Sequence, residues 1–255
     1  MALSLDEVPP EDACFTRDAY RSMLDAALAS GYRFVAYTET EPDAERTCLL
    51  RHDVDVDPEA ALELARIEHE RGVSATFFVM TRSPVYNAFG RANQTLLREI
   101  ASLGHWIGLH FDVAFRPDDA PIQEWIAREA DVLASMLGTA IEAVSFHQPM
   151  LSEVNPSEIR VEGLVSAFDF PGFVYLSDAN KALREGSFIR LFRDATIPRI
   201  HLCIHPIWWA TDDASADPMD LWDRALERTL GRAQAQIVAT ERAFGTTRRI
   251  SISRD

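Results

Sequence analysis

The sequence predicts an α/β fold, a distorted barrel of the (β/α)7 type in a single domain, with an open doubly wound sheet as second choice. Three observations lead there. Short apolar, strand-like runs alternate with segments of helical periodicity, the pattern of parallel strands with helices outside. Four of the helical segments stop at a glycine that leads straight into a strand, Gly31, Gly72, Gly104 and Gly138, and glycine there supplies a left-handed cap. The chain's 255 residues, 47% of them apolar, suffice for one large core, and barrels of this length occur as single domains. The glycine-rich phosphate loop that marks the doubly wound alternative is missing.

In order, Met1 to Ala13 reads as a loose acidic leader, leaving residues 14–255 as the domain. Thr16 to Ser30 carries Tyr20, Met23, Leu24, Ala27 and Leu28 on one helical stripe. Arg33 to Tyr37 follows as a strand, and Thr47 to Leu50 as an apolar one. Asp57-Pro58 then opens a helix to Arg71, with Asp57 as N-cap and Pro58 as first helical residue. Ala75 to Val79 is a strand, Asn93 to Leu103 a helix, Trp106 to Leu109 a strand, Ile122 to Leu137 a helix and Ile141 to Phe146 a strand. The second half is less regular. Phe173 to Ser177 and Ile200 to Ile204 read as strands, Phe188 to Phe192 as a weaker one, and Asp217-Pro218 caps a final helix running to about Ala243.

Composition narrows the function. A net charge of −15 argues against nucleic acid and anionic membrane partners, which require basic patches. Cys14, Cys48 and Cys203 are widely spaced with no CxxC, so neither a disulfide framework nor a cysteine zinc site is expected. The leader has no apolar core and is not a signal peptide. No apolar run approaches the roughly 20 residues that span a bilayer. The expected setting is cytoplasmic.

Chemistry in such barrels collects at the carboxyl ends of the strands, and four expected strands end on polar groups. These are Asp53-Val54-Asp55, His110-Phe111-Asp112, His147-Gln148-Pro149 and His205-Pro206. Asp53 and Asp55, two apart on extended backbone, leave the same face. Two such carboxylates need a counter-charge, usually a metal or a shared proton. Three histidines at converging strand ends complete a set of mixed imidazole and carboxylate ligands, as hydrolytic zinc sites have. Of the remaining histidines, His69 falls on the solvated side of a helix. His105 precedes its strand and packs structurally. His201 faces the same way as His205 but about 13 Å away at about 3.3 Å per residue, too far to share its metal.

These residues resemble the metal-dependent polysaccharide deacetylases, which remove N- or O-acetyl groups from sugars. The family's double-aspartate motif is similar to Arg51-His52-Asp53-Val54-Asp55, followed by Ala75-Thr76-Phe77-Phe78-Val79. Its second motif, Gly-His-Glu-Ile-Gly-x-His, resembles Gly104-His105-Trp106-Ile107-Gly108-Leu109-His110. Phe146-His147-Gln148-Pro149 matches the third loosely, Ser177-Asp178 a fourth, and Leu202-Cys203-Ile204-His205 the last. The resemblance covers about residues 47 to 206 and implies a distorted barrel, Asp53 as general base, Asp55 and His110 as metal ligands and His205 as general acid. It departs at Ala114, where the family has a further ligand histidine, and at Gln148, where it has an arginine. His147 is the preferred substitute ligand, with Asp112 next, and Arg51 stands in for the missing cation.

The implied reaction is hydrolysis of an acetylated sugar or sugar precursor on a divalent metal, zinc first in what the resemblance implies, with cobalt or nickel as alternatives. Trp208 and Trp209 follow His205-Pro206, and Trp208 offers an indole face for a sugar ring. Tyr175 and Asp178 are expected to hydrogen-bond the ligand, with Arg51 and Gln148 beside them. The competing readings are a carbohydrate-binding relative without catalysis and a hydrolase of another non-peptide C–N bond.

Overall fold

The computed structural model describes residues 14–39, 45–114, 120–151, 153–168, 170–183 and 186–240. The leader, Met1 to Ala13, and the expected helix end near Ala243 lie outside them. In chain order the elements are α1 (Arg17–Ala29), β1 (Arg33–Phe34), β2 (Thr47–Val54), α2 (Pro58–His69), β3 (Thr76–Val79), α3 (Arg91–Ser102), β4 (Trp106–Asp112), α4 (Ile122–Leu137) and β5 (Ile141–His147). After two short 3-10 turns come β6 (Val165–Ser166), β7 (Val174–Ser177), α5 (Phe188–Asp194), β8 (Arg199–Ile204), α6 (Pro206–Trp209) and α7 (Pro218–Thr240). No described helix is long and apolar enough to cross a membrane.

Local chemistry sets the boundaries. Thr16 and Asp57 cap α1 and α2 by accepting from Ala19 N–H and Glu59 N–H. The four glycines that lead into strands have φ of +80°, +66°, +92° and +72° at Gly31, Gly72, Gly104 and Gly138, a backbone region closed to most side chains. One expectation is corrected. Phe188 to Phe192 is helix α5, not a strand, because Ser187 Oγ accepts from Arg190 N–H and starts a turn that buries Phe188, Ile189 and Phe192 on one face. A helical stripe outweighs the strand preference of these residues.

All strand pairs are parallel, in the order β6–β5–β4–β3–β2–β8–β7, with β1 beside the first residues of β2. The free ends are β6 and β7, so the sheet is an incomplete, distorted barrel. The segment after β6 packs against β5, β2 and Tyr37. Ala167 N–H donates to Val144 O (2.8 Å), Ala167 O accepts from Arg51 Nη1 (3.2 Å), and the Phe170 ring meets Tyr37 at 5.5 Å.

Strand alternation divides the buried side chains into two sets. Leu50, Phe77, Leu109 and Leu202 point outward and pack with the helices in the main core. Tyr37, Leu49, Phe78, Ala143 and Ala167 fill the barrel interior. Gly108 makes room there, since a Cβ on it would lie 2.5 Å from the Phe78 ring. This small apolar plug forms the floor beneath the polar strand ends.

A second polar group sits on the outer face, between the sheet and α1 and α2. Glu68, fully buried, accepts from the Tyr20 hydroxyl and from His52 Nε2 (2.6 Å), and His105 Nδ1 lies 3.4 Å from its other oxygen. His105 is structural as expected: its Nδ1 accepts from Ala75 N–H (3.2 Å) and its Nε2 donates to Ala65 O (2.9 Å). A sealed carboxylate needs these donors. Tyr20→Phe removes one without opening a cavity, and is expected to cost about 1–3 kcal/mol. Urea unfolding measures it, and an unchanged midpoint would show that the hydroxyl is dispensable.

Candidate active site

The site forms where β2, β4, β5 and β8 end. Alternation aims Arg51 and Asp53 on β2, His110 on β4, Ser145 and His147 on β5, and Cys203 on β8 into the barrel. Register then sets neighbours: His110 stands opposite Ser145, Asp112 opposite His147, and Arg51 opposite Cys203. Asp55 lies one residue beyond β2, and His205 one residue beyond β8.

Three atoms converge at the centre. Asp55 Oδ1 lies 3.1 Å from His110 Nε2 and 3.3 Å from His147 Nδ1, and the two nitrogens are 3.3 Å apart. Despite these distances, Asp55 Oδ1 is buried without an aligned hydrogen bond. A tetrahedral ion with bonds of about 2.0–2.1 Å holds its ligand atoms about 3.3 Å apart, so the triangle fits a metal better than a proton network. Ser145 Oγ, fully buried, contacts His110 Nδ1 at 2.7 Å. That contact orients the ring with Nε2 toward Asp55 Oδ1, and with Nδ1–H donating to Ser145 Oγ, Nε2 would be the lone-pair donor. Asp112, the second choice as ligand, turns away and caps its own turn by accepting from Ala114 N–H (3.0 Å).

Asp53 and His205 flank the triangle. Arg51 Nη2 donates to Asp53 Oδ2 at 2.5 Å, and Cys203 Sγ lies 3.4 Å from the same oxygen. Asp53 Oδ1 is buried without a partner. Burial alone would raise the Asp53 carboxyl, but Arg51 and the nearby imidazoles hold it at about 2. His205 Nδ1 donates to Asp178 Oδ1 at 2.6 Å, and its Nε2 faces Asp55 Oδ2 at 3.8 Å. Burial pushes the His205 imidazolium down, but the Asp178 carboxylate overrides it and raises the group to about 9. His147 is likewise lowered by burial and raised overall by Asp55, while Asp55 is held well below the carboxylate range by both imidazoles against the opposing effect of its burial.

Several expected substrate contacts are corrected. Asp178 is fully buried and saturated by His205 Nδ1, His205 N–H and Trp209 Nε1 (2.7 Å), so it positions His205 and reaches no ligand. Trp208 is only 7% exposed, so neither indole face is open as a platform. Arg51, also buried, is committed to Asp53 and the seam. Gln148 is exposed at the rim, in a left-handed turn (φ +42°) directly after His147. Tyr175 is 52% exposed on β7. His201 lies deeper, with Nε2 2.7 Å from the Tyr37 hydroxyl, and burial holds it neutral at about 3. Sequence reasoning missed the supporting role of Ser145, although it lies two residues before His147 on the same strand face.

Beside the site, a solvent-open cleft of about 290 Å³ runs between the turn after β2, the turn after β8 and Trp222 of α7. Asp57 holds that wall: it caps α2 and takes Arg228 Nη2 at 2.5 Å. Another depression, about 280 Å³ around Thr38, Thr76 and Trp106, lies at the amino ends of the strands and gathers no comparable groups.

No family model matches the chain, and no curated protein matches it. Solved structures do. The chain is similar to a deacetylase from Streptococcus pyogenes in complex with acetate, at 18% identity and TM-score 0.41, covering 51% of this chain and 61% of that one. It is similar to a family 4 carbohydrate esterase from Bacillus anthracis, at 16% identity and TM-score 0.41, covering 82% and 86%. It is also similar to a family 4 carbohydrate esterase from Streptomyces lividans in complex with acetate, at 15% identity and TM-score 0.44, covering 73% and 88%. The chain thus spans about three fifths of the first of these proteins.

His147 supplies one of the three candidate ligands of the triangle. His147→Ala is expected to weaken zinc binding by at least about 100-fold, and Asp112→Ala to leave it unchanged, by competition with a chromophoric chelator. Affinity should also fall as pH falls, because His147 must lose its proton to ligate. Full zinc affinity in His147→Ala would remove this residue from the site.

Proposed function

We propose that the chain is a metal-dependent hydrolase that removes an acetyl group from an N- or O-acetylated sugar or sugar precursor. The observation that carries the reading is the Asp55–His110–His147 triangle at metal-ligand spacing, flanked by a carboxylate on one side and an imidazolium on the other. A divalent cation held there, zinc first and cobalt or nickel next, would supply Lewis-acid polarisation of an acyl carbonyl and of a water.

The remaining work falls to the chain's own groups. Arg51 fixes one oxygen of Asp53 and leaves Oδ1 free to accept a proton from the attacking water. A carboxylate held at about 2 is a weak resting base, so Asp53 takes that proton only as charge leaves the water. His205 carries a proton at neutral pH and delivers it to the departing amine or alkoxide as the acyl C–N or C–O bond breaks. Asp178 keeps the imidazole in the orientation that points Nε2 inward. Water's oxygen ends on the acyl carbon, giving acetate and the free amine or alcohol. Gln148, exposed at the rim beside His147, is the group placed to meet the sugar.

Two outcomes test the assignment on acetylated aminosugars. Asp53→Asn should lower turnover by about 10²–10⁴-fold while retaining the metal; near wild-type turnover would mean another group is the base. The alkaline limb of the rate profile should fall near pH 9, where His205 loses its proton, and Asp178→Asn should move that limb to lower pH. The same shift carries a stability consequence. A raised imidazolium stabilises the fold fully below its unfolded pKa of about 6.5, and that contribution disappears as pH rises through about 9. An alkaline limb that stays in place in Asp178→Asn would exclude His205 as the acid.

A further inference from the structure

Cys203 has no part in the hydrolysis just described, yet it sits at its centre. Ligand atoms of Asp53, Cys203 and His205 all lie within 4.8 Å of one another. The cysteine does not stand alone as an indication. Asp53 is 5% exposed and its Oδ1 has no partner. His205 is tied through Nδ1 to Asp178, so Nε2 faces inward, 3.8 Å from Asp55 Oδ2. A carboxylate behind an imidazole is the arrangement that orients a metal-binding histidine. Asp55 therefore shows one oxygen to His110 and His147 and the other to His205.

We propose that Asp53, Cys203 and His205, with Asp55 Oδ2 as bridge, form a second cation site selective for a soft, thiolate-seeking divalent metal such as cadmium or zinc in excess. The donors are one sulfur, one imidazole nitrogen and two carboxylate oxygens, enough for a four-coordinate ion, and thiolate selects soft metals. The buried thiol is protonated in the free protein, so binding releases its proton and that of the His205 imidazolium to solvent. Arg51, 2.5 Å from Asp53 Oδ2, opposes a second cation and makes this the weaker site. An ion there occupies both Asp53 and His205. On the hydrolase reading, with which it shares these residues, the site is inhibitory.

The experiment is cadmium loading of the whole chain, read by elemental analysis and by the ultraviolet thiolate-to-cadmium charge-transfer band. Wild type should take up two ions per chain and show the band. Cys203→Ser should take up one and lose it, with Cys203→Ala as a second variant should the serine disturb the fold. Cys48→Ser should change nothing, because Cys48 is buried elsewhere, on β2 among core residues. His147→Ala should lose the first ion and keep the band. The absence of the band in wild type, or a band that survives both Cys203 variants, overturns the proposal. A chain that binds cadmium only through Cys203 would leave this site standing and sink the hydrolase reading instead.

Discussion

Three carboxylates, Asp53, Asp55 and Asp178, are packed into one mouth of an incomplete barrel, and each meets a basic side chain there. Two opposite unit charges about 4 Å apart attract by about 4 kcal/mol at the effective dielectric near a protein surface. At neutral pH the chain provides close counter-charges for two of the three. Arg51 sits on Asp53 and the His205 imidazolium on Asp178. Asp55 meets imidazoles alone, His110 and His147 at one oxygen and His205, 3.8 Å away, at the other. On the proposed reading it is the carboxylate of the three that a metal would neutralise, and its Oδ1 lies beside two imidazole nitrogens. The charge pattern and the spacing reach the same atom independently.

The same alternation that aims these groups inward lets neighbouring residues serve unrelated ends. Arg51 and Asp53 face the barrel, while His52 between them faces α1 and α2 and joins Glu68 and Tyr20. His105 and His110 divide similarly across β4. One belongs to the sealed network that joins strands to helices, the other to the site. Below the site, Phe78 and Leu49 close the barrel interior, so charged groups at the mouth are backed by apolar packing that excludes water. The second cation site follows from this crowding, since Cys203 is the next inward residue before His205.

Much of this was legible in the sequence because it depends on short-range rules. The helix cap at Asp57, glycine stops, and the alternation of strands and helices fix the elements, and polar residues at strand ends fix the mouth. What was not legible depends on register or on burial. Phe188 to Phe192 has strand-like residues, and only the Ser187 cap and its packing face make it helical. Asp178 looks like a ligand contact at a strand end until its partners His205 and Trp209 are seen in space. Trp208 follows a strand end as a platform would, but α6 turns it into the protein. His147 was placed near the site from its strand, but that its Nδ1 meets His110 Nε2 follows from the β4–β5 register, which is set by pairings distant in sequence.

X-ray absorption at the zinc edge of the reconstituted protein tests the central claim most directly. Two imidazoles and at least one oxygen at about 2.0–2.1 Å would be the signature of Asp55, His110 and His147 around one ion. A single imidazole, or a first shell of oxygen alone, would contradict it.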